Sequence, residues 1–220
     1  MKKLREHFGQ ELGVLAEAVQ ALGNAAQNAV EQGLTALLHD DRALARAVID
    51  EDDAINQMRF EIERACYDLL ATEGPVARDL RAIVATLSIA SDLERIADHG
   101  KKIAKTALRM PGMPLPRCAN DLERLGQLAL VMVVRALHAL AERDLGEAHL
   151  VCRADDEVDA LYKQTFNVLL TGMLADPRSI GAGTYLIQAA HELERVGDRA
   201  TNIAERVIYT VTGDLVELNV

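Results

Sequence analysis

Two nearly identical seven-residue segments carry the residues of this chain that could do chemistry. The first reads DLERIAD and contains Glu94 and Asp98, and the second reads ELERVGD and contains Glu194 and Asp198. Two carboxylates four residues apart share one side of a helix, where they repel each other at a cost of roughly 0.2–0.5 kcal/mol. A bound cation would relieve this repulsion. Carboxylate oxygens suit hard ions such as magnesium, manganese and iron and, less exclusively, zinc.

A second polar pair with the same spacing precedes each segment. Because one helix supplies too few ligands, we expect the helices that carry these pairs to face the acidic segments. Each half of the chain would then gather four oxygen-bearing side chains. We define the first acidic cluster as Asp52, Asn56, Glu94 and Asp98, and the second acidic cluster as Asp155, Asp159, Glu194 and Asp198.

The two clusters differ at one position. Asn56 offers only a neutral carbonyl oxygen, whereas its counterpart Asp159 offers a carboxylate. We therefore expect the second cluster to bind metal more tightly.

An acidic pair on a helix is more often a solvated surface that binds nothing. Lys101 and Lys102 follow Asp98 at the spacing of ordinary helical ion pairs, as this alternative requires. Neither corresponding residue after Asp198 is basic, and the acidic pattern recurs in both halves. These two observations favour a ligand.

The histidines are weaker candidates for metal binding. His99 follows Asp98, but its counterpart in the second half is Arg199, so we predict a surface histidine with no shared metal role. His191 precedes the second segment as a lone histidine. None of the six histidines has a glutamate three residues before it, the spacing that ferritin-like di-metal carboxylate proteins use. That class of enzyme and a metal-free helical scaffold are the alternatives to a metal-binding protein without catalytic activity.

The elements that must position these residues are predicted to be helices. Apolar residues recur every three or four positions, which indicates six long amphipathic helices and an all-α protein. Short connections force neighbouring helices to be antiparallel, so each half is predicted to be an up-down-up three-helix bundle. The predicted helices cover residues 4–38, 45–70, 79–110, 121–142, 145–174 and 183–211.

The two bundles are predicted to be tandem repeats related by internal duplication. A proline-rich stretch, PGMPLP at residues 111–116, is the clearest linker in the chain. It separates a first repeat at 1–112 from a second repeat at 117–220.

Composition limits the partners. The 220 residues carry a formal net charge of -10, which argues against nucleic-acid binding. No run of about 18 uninterrupted apolar residues is present, so we expect a cytoplasmic protein without direct membrane insertion.

Cys66, Cys118 and Cys152 are widely spaced, and we expect reduced thiols. No P-loop, dinucleotide-binding turn or nucleophile elbow is found, so no enzyme is expected.

Longer segments around the acidic motifs resemble a known family. The combination of RDLRAIVATLSIASDLERIADHGKKIAK with AAHELERVGDRATNIAERVIYTVTG resembles the PhoU family of phosphate-transport regulators. The resemblance extends over essentially the whole chain and implies two three-helix bundles side by side. It also implies multinuclear iron or zinc clusters held by the paired acidic motifs, with manganese or magnesium as alternatives. Asn56 departs from an all-carboxylate pattern in the first of these clusters.

The resemblance further implies a function. Such a protein would be a negative regulator of phosphate uptake and of the phosphate-starvation response. It would act as an adaptor between the ATPase subunit of a phosphate ABC transporter and a sensor histidine kinase, peripherally at the inner face of the membrane. A homodimer is also expected from the family.

Overall fold

Helices make up nearly all of the chain that the structure describes. The computed structural model describes residues 2–110, 112 and 119–218, and no strand occurs among them. A short 3-10 helix at Pro177–Ser179 directly precedes the last long helix. The six long helices are α1 (Lys2–His39), α2 (Arg42–Glu73), α3 (Ala77–Arg109), α4 (Ala119–Glu142), α5 (Leu145–Ala175) and α6 (Ile180–Thr212).

Local capping residues explain where several of these helices begin and end. The Asp41 carboxylate accepts hydrogen bonds from the backbone N–H groups of Ala43 and Leu44 and so caps the start of α2. Asp144 caps α5 in the same way. Helix α6 ends at Thr212 and is followed by its C-cap Gly213, whose φ of 89° belongs to the left-handed region that favours glycine. The predicted boundaries therefore agree with the structure to within a few residues.

The helices form two three-helix bundles, as predicted. Helices α1, α2 and α3 pack on one another in the first half, and α4, α5 and α6 do so in the second. The halves join mainly through α3 and α6. Asp92 lies opposite Arg199 and His99 lies opposite Glu192, so α3 and α6 run antiparallel. Buried aliphatic residues from both halves form one continuous core.

Close helix packing in the first half depends on a glycine. An added Cβ at Gly100 would lie 2.5 Å from the carbonyl carbon of Ala29 and 2.6 Å from the backbone nitrogen of Val30. Any larger residue would therefore push α1 and α3 apart. This contact holds α3 in position, and α3 carries half of the first acidic cluster.

Helix α4 is long and apolar enough to cross a membrane, judged by length and composition alone. In this fold its inner side belongs to the core, where Leu122, Leu125 and Leu137 are almost completely buried. Val131 and Val134 lie on its outer side and are about half exposed, at 52% and 50%. Part of the apolar character of α4 therefore reflects its place in the bundle, where 44% of its apolar window is buried.

Most of the predicted linker lies outside the described residues. Prolines 111, 114 and 116 and Cys118 fall there, and only Gly112 of this stretch is described. Its backbone N–H donates to Asp40 Oδ2 at 3.0 Å. The other two cysteines, Cys66 and Cys152, are free thiols, and burial raises the pKa of each to about 11.

Candidate metal site

The helices that carry the predicted ligands do face one another. Helix α2 packs against α3, and α5 packs against α6. The members of each acidic cluster are therefore contributed by neighbouring antiparallel helices, as the repeated spacing predicts.

Asp155 is the most buried member of the second acidic cluster. Only 8% of the residue is exposed, yet its carboxylate lies among other acids. Burial, followed by the negative charges of Asp198, Asp159 and Glu194, raises the pKa of Asp155 to about 6, while a hydrogen bond from Thr201 works in the opposite direction. The four predicted ligands of this half are thus close enough to repel one another.

Glu194 also lies among other acids, and the charges of Arg195 and Lys163 compensate it only in part. Burial, followed by the charges of Asp198 and Asp159, raises the pKa of Glu194 to about 7. Its Oε2 atom is buried and has no hydrogen-bond partner among the described residues. His191 Nδ1 lies 3.4 Å from this atom, which is near enough for an ion pair if the ring is protonated but does not form a hydrogen bond.

A small residue brings α6 close to Asp155. An added Cβ at Gly197 would lie 3.3 Å from Asp155 Oδ1 and 3.3 Å from Val158 Cγ1. The first half has Ala97 at the equivalent position, and it is fully buried at 1% exposure. The contacts at Gly197 are tighter than an ordinary van der Waals contact of a Cβ, so glycine lets α6 approach Asp155 closely.

The carboxylates have not converged on a single point. Among the described residues, no group of three or more His, Cys, Asp or Glu side chains has a geometry that would hold a metal ion. Asp159 turns towards Lys163 at the surface, with its Oδ2 3.0 Å from Nζ. Metal binding would require the acidic side chains to rotate towards a common centre.

A polar cavity of about 240 Å³ adjoins the second cluster. It lies where the segment after α6 folds back along that helix, and the Leu218 N–H donates to Glu205 Oε1 at 2.6 Å. The cavity is lined by Asp198, Arg199, Asn202, Glu205 and Glu217. It leaves Asp198 accessible to a small ligand from solvent.

The first acidic cluster is compensated from within the chain. Lys101 Nζ lies 2.5 Å from Asp52 Oδ2, and the Asn56 amide donates to the same oxygen at 3.1 Å. The hydrogen bond with Asp52 is the main cause that raises the pKa of Lys101, and burial opposes it. Under the solvated-surface alternative Lys101 would pair along its own helix with Asp98, but the packing of α2 on α3 directs it to Asp52 instead.

The remaining members of the first cluster are nearer the surface. Lys102 Nζ lies 3.0 Å from Asp98 Oδ2, which confirms the predicted helical ion pair, and 3.6 Å from Glu192 Oε2. Glu94 Oε2 is 3.9 Å from Nε of the adjacent Arg95. Each acid of this half therefore has a basic neighbour.

The prediction for His99 was wrong. The residue is 3% exposed, and its Nδ1 lies 2.6 Å from Glu192 Oε2 across the junction of the two halves. Burial works to raise the pKa of Glu192, but the hydrogen bond and charge of His99, together with Lys102, lower it overall. His99 is buried because α6 covers that side of α3.

A signal for this contact was present in the duplication. Asp92 and His99 are equivalent to Glu192 and Arg199, so each segment carries an acid and a base seven residues apart. In an antiparallel pair the acid of one segment meets the base of the other. The second such contact joins Arg199 Nη1 to Asp92 Oδ1 at 3.3 Å.

Comparison with known proteins gives consistent relatives. A Rhizobium meliloti (strain 1021) protein, "Phosphate-specific transport system accessory protein PhoU homolog", is 39% identical over 207 residues, covering 94% of this chain and 87% of that protein. A Clostridium acetobutylicum protein of the same name is 37% identical over 216 residues, covering 98% and 99%.

Solved structures agree with these relatives. The crystal structure of PhoU from Pseudomonas aeruginosa superposes with a TM-score of 0.90 at 38% identity, covering 94% of this chain and 100% of that one. The PhoU structure from Streptococcus pneumoniae gives 0.89 at 33% identity, covering 96% and 99%. The PhoU domain matches the sequence twice, at residues 19–107 and 122–207. The chain therefore belongs to the PhoU family, with one PhoU domain in each three-helix bundle.

Proposed function

We propose that this chain is an accessory, regulatory protein of a phosphate-specific transport system, and that it acts as a metal-binding adaptor and not as an enzyme. Its relatives carry the name of such an accessory protein and align with nearly the whole chain. The observation that carries the metal-binding part is the second acidic cluster, in which burial and neighbouring acids raise the pKa values of Asp155 and Glu194.

The donor set of the second cluster suits a hard cation. Its four members offer carboxylate oxygens from two facing helices, and Glu194 Oε2 is buried without a hydrogen bond. Iron or zinc is the proposed ion, with manganese and magnesium as alternatives. A bound cation would neutralise the repulsion that raises the pKa values of Asp155 and Glu194, and it would link α5 to α6.

The proposed partners are the ATPase subunit of a phosphate ABC transporter and a sensor histidine kinase. In this role the chain is a negative regulator of phosphate uptake and of the phosphate-starvation response. The net charge of -10 favours basic protein surfaces over nucleic acid. We propose a cytoplasmic homodimer that meets the membrane only through these partners.

Elemental analysis and a regulatory assay test the two parts of the proposal. Protein purified without a tag or chelator is expected to contain iron, zinc or manganese, which Glu194→Ala/Asp198→Ala removes. The control Asp156→Ala/Glu157→Ala changes two exposed acids of α5 and should keep the metal. Absence of metal in the parent, with failure to take it up again, would favour the metal-free scaffold. Ferroxidase turnover on added ferrous iron would favour the ferritin-like alternative.

The regulatory part needs a host strain that lacks its own PhoU protein and carries a phosphate-starvation reporter. Expression of this chain should lower the reporter signal in phosphate-rich medium. An unchanged signal, with the protein present at normal abundance, would contradict a negative regulatory role.

A further inference from the structure

The first acidic cluster already contains a cation, which is the side chain of Lys101. Its ammonium and the Asp52 carboxylate are 2.5 Å apart, and the two side chains are only 21% and 11% exposed. The Asn56 amide binds the same carboxylate oxygen at 3.1 Å. A carboxylate oxygen has two lone-pair sites, so Oδ2 of Asp52 is fully used within the protein.

The second half lacks this arrangement at equivalent positions. Thr201 stands where the first half has Lys101, and Asp159 stands where it has Asn56. The Thr201 hydroxyl is fully buried and donates to the Gly197 carbonyl at 3.3 Å. Among the ion pairs that the described residues form, none involves Asp155. Each of these two differences in residue type makes the net charge of the first cluster one unit more positive than that of the second.

The two sets of residues differ in their fit to a metal ion. An ammonium beside Asp52 repels a divalent cation and also occupies one of the two carboxylate oxygens that the cation could use. The Thr201 hydroxyl beside Asp155 is uncharged and does not repel a cation. It can turn its single proton to the Gly197 carbonyl, which leaves the carboxylate oxygens to a metal. The residues of the first cluster therefore do not fit the metal that the family resemblance implies for both halves.

We infer that Lys101 is the built-in cation of the first acidic cluster and takes the place of a metal there. This inference rests on one part of the proposed function, which is metal binding by the second acidic cluster. It limits uptake to one cluster, so that metal availability acts on α5 and α6 while α2 and α3 stay joined at all metal concentrations.

Titration with Mn²⁺ tests where metal enters. Mn²⁺ prefers oxygen ligands, and its electron paramagnetic resonance signal reports the free ion. All proteins are first freed of metal with a chelator. The full-length Glu194→Ala/Asp198→Ala variant should then fail to bind the Mn²⁺ that the unmodified chain binds. The Glu94→Ala/Asp98→Ala variant should still bind Mn²⁺, with an affinity within twofold of that of the unmodified chain. A loss of tenfold or more in the latter variant, with normal binding in the parent, would overturn the inference but leave the proposed metal-binding function intact.

Exchange of the distinguishing residues is the converse test. Lys101→Thr/Asn56→Asp gives the first cluster the side chains of the second, and a new Mn²⁺ binding event is expected. Lys105→Thr is the matched control, because it removes an exposed lysine of the same helix without touching Asp52. No new binding, in a parent that binds Mn²⁺ in its second half, would contradict the role assigned to Lys101.

A measurement without metal separates this inference from the proposed function. In chelator, Lys101→Met and Asp52→Asn should each raise the unfolding equilibrium constant. The unfolding equilibrium constant of the double variant should be roughly tenfold smaller than the value expected if the effects of the two single changes were independent. Coupling below twofold would overturn the inference. Failure of every variant and the parent to bind Mn²⁺ would overturn only the metal-binding proposal, provided that this coupling is present.

Discussion

Replacing Asp155 with asparagine is expected to stabilise the metal-free protein at alkaline pH. Asp155→Asn preserves the shape of the side chain and keeps an oxygen that can accept a hydrogen bond from the Thr201 hydroxyl. It removes a charge that is 8% exposed and surrounded by Asp198, Asp159 and Glu194. Loss of a buried acid is usually destabilising when it has a basic partner, so stabilisation here would identify an uncompensated charge.

The size of the effect follows from the pKa of Asp155. Folding raises it from 3.8 to about 6, and each unit corresponds to about 1.4 kcal/mol, so the charged form costs at most about 3 kcal/mol. Above pH 7 this carboxyl is charged in both states and the full cost applies. As pH falls through about 6 the folded protein binds the proton first, and the cost disappears towards pH 4.

Urea denaturation followed by circular dichroism measures this difference. With chelator present, Asp155→Asn should raise the free energy of unfolding by about 1–3 kcal/mol at pH 8 and by almost nothing at pH 4. Asp156→Asn is the matched control, since the neighbouring residue is exposed and should change little at either pH. Destabilisation by Asp155→Asn at pH 8, or a gain independent of pH, would refute the reasoning.

Two further predictions concern helix packing. Gly100→Ala should lower the free energy of unfolding by about 2 kcal/mol or more, because its Cβ would overlap the backbone of Ala29. The control Gly13→Ala places a Cβ that meets no atom within 4 Å, so it should raise the free energy of unfolding by about 0.5–1 kcal/mol. Equal melting temperatures for the two variants would count against the close helix contact. His99→Leu should cost about 1–3 kcal/mol by leaving Glu192 without its main partner. Adding Glu192→Leu should recover part of this loss in chemical denaturation, and strictly additive losses would argue against the pair.

Much of the fold was predictable because the signals are local. Apolar residues at helical spacing, together with capping residues such as Asp41 and Gly213, determine where helices form and end. The repeated acidic segments revealed the duplication, and i,i+4 spacing placed each pair on one side of a helix. These inferences need only the geometry of a single helix.

The predictions that failed concerned contacts between distant segments. His99 and Lys101 have the polar character of surface residues, and one-helix reasoning left the first at the surface and paired the second with Asp98. Their actual partners, Glu192 and Asp52, lie on other helices. Which side of α3 is covered depends on how α2 and α6 pack against it.

The sequence by itself therefore determined six helices, their duplication and the positions of the acidic pairs, since periodicity and capping act within a few residues. Only the tertiary structure decided which acids are compensated. A lysine reaches Asp52 because α2 packs on α3, whereas Asp155 is buried beside Thr201 and other acids. The free energy of a buried charge depends on the groups packed around it, and those groups come from elements far apart in the chain.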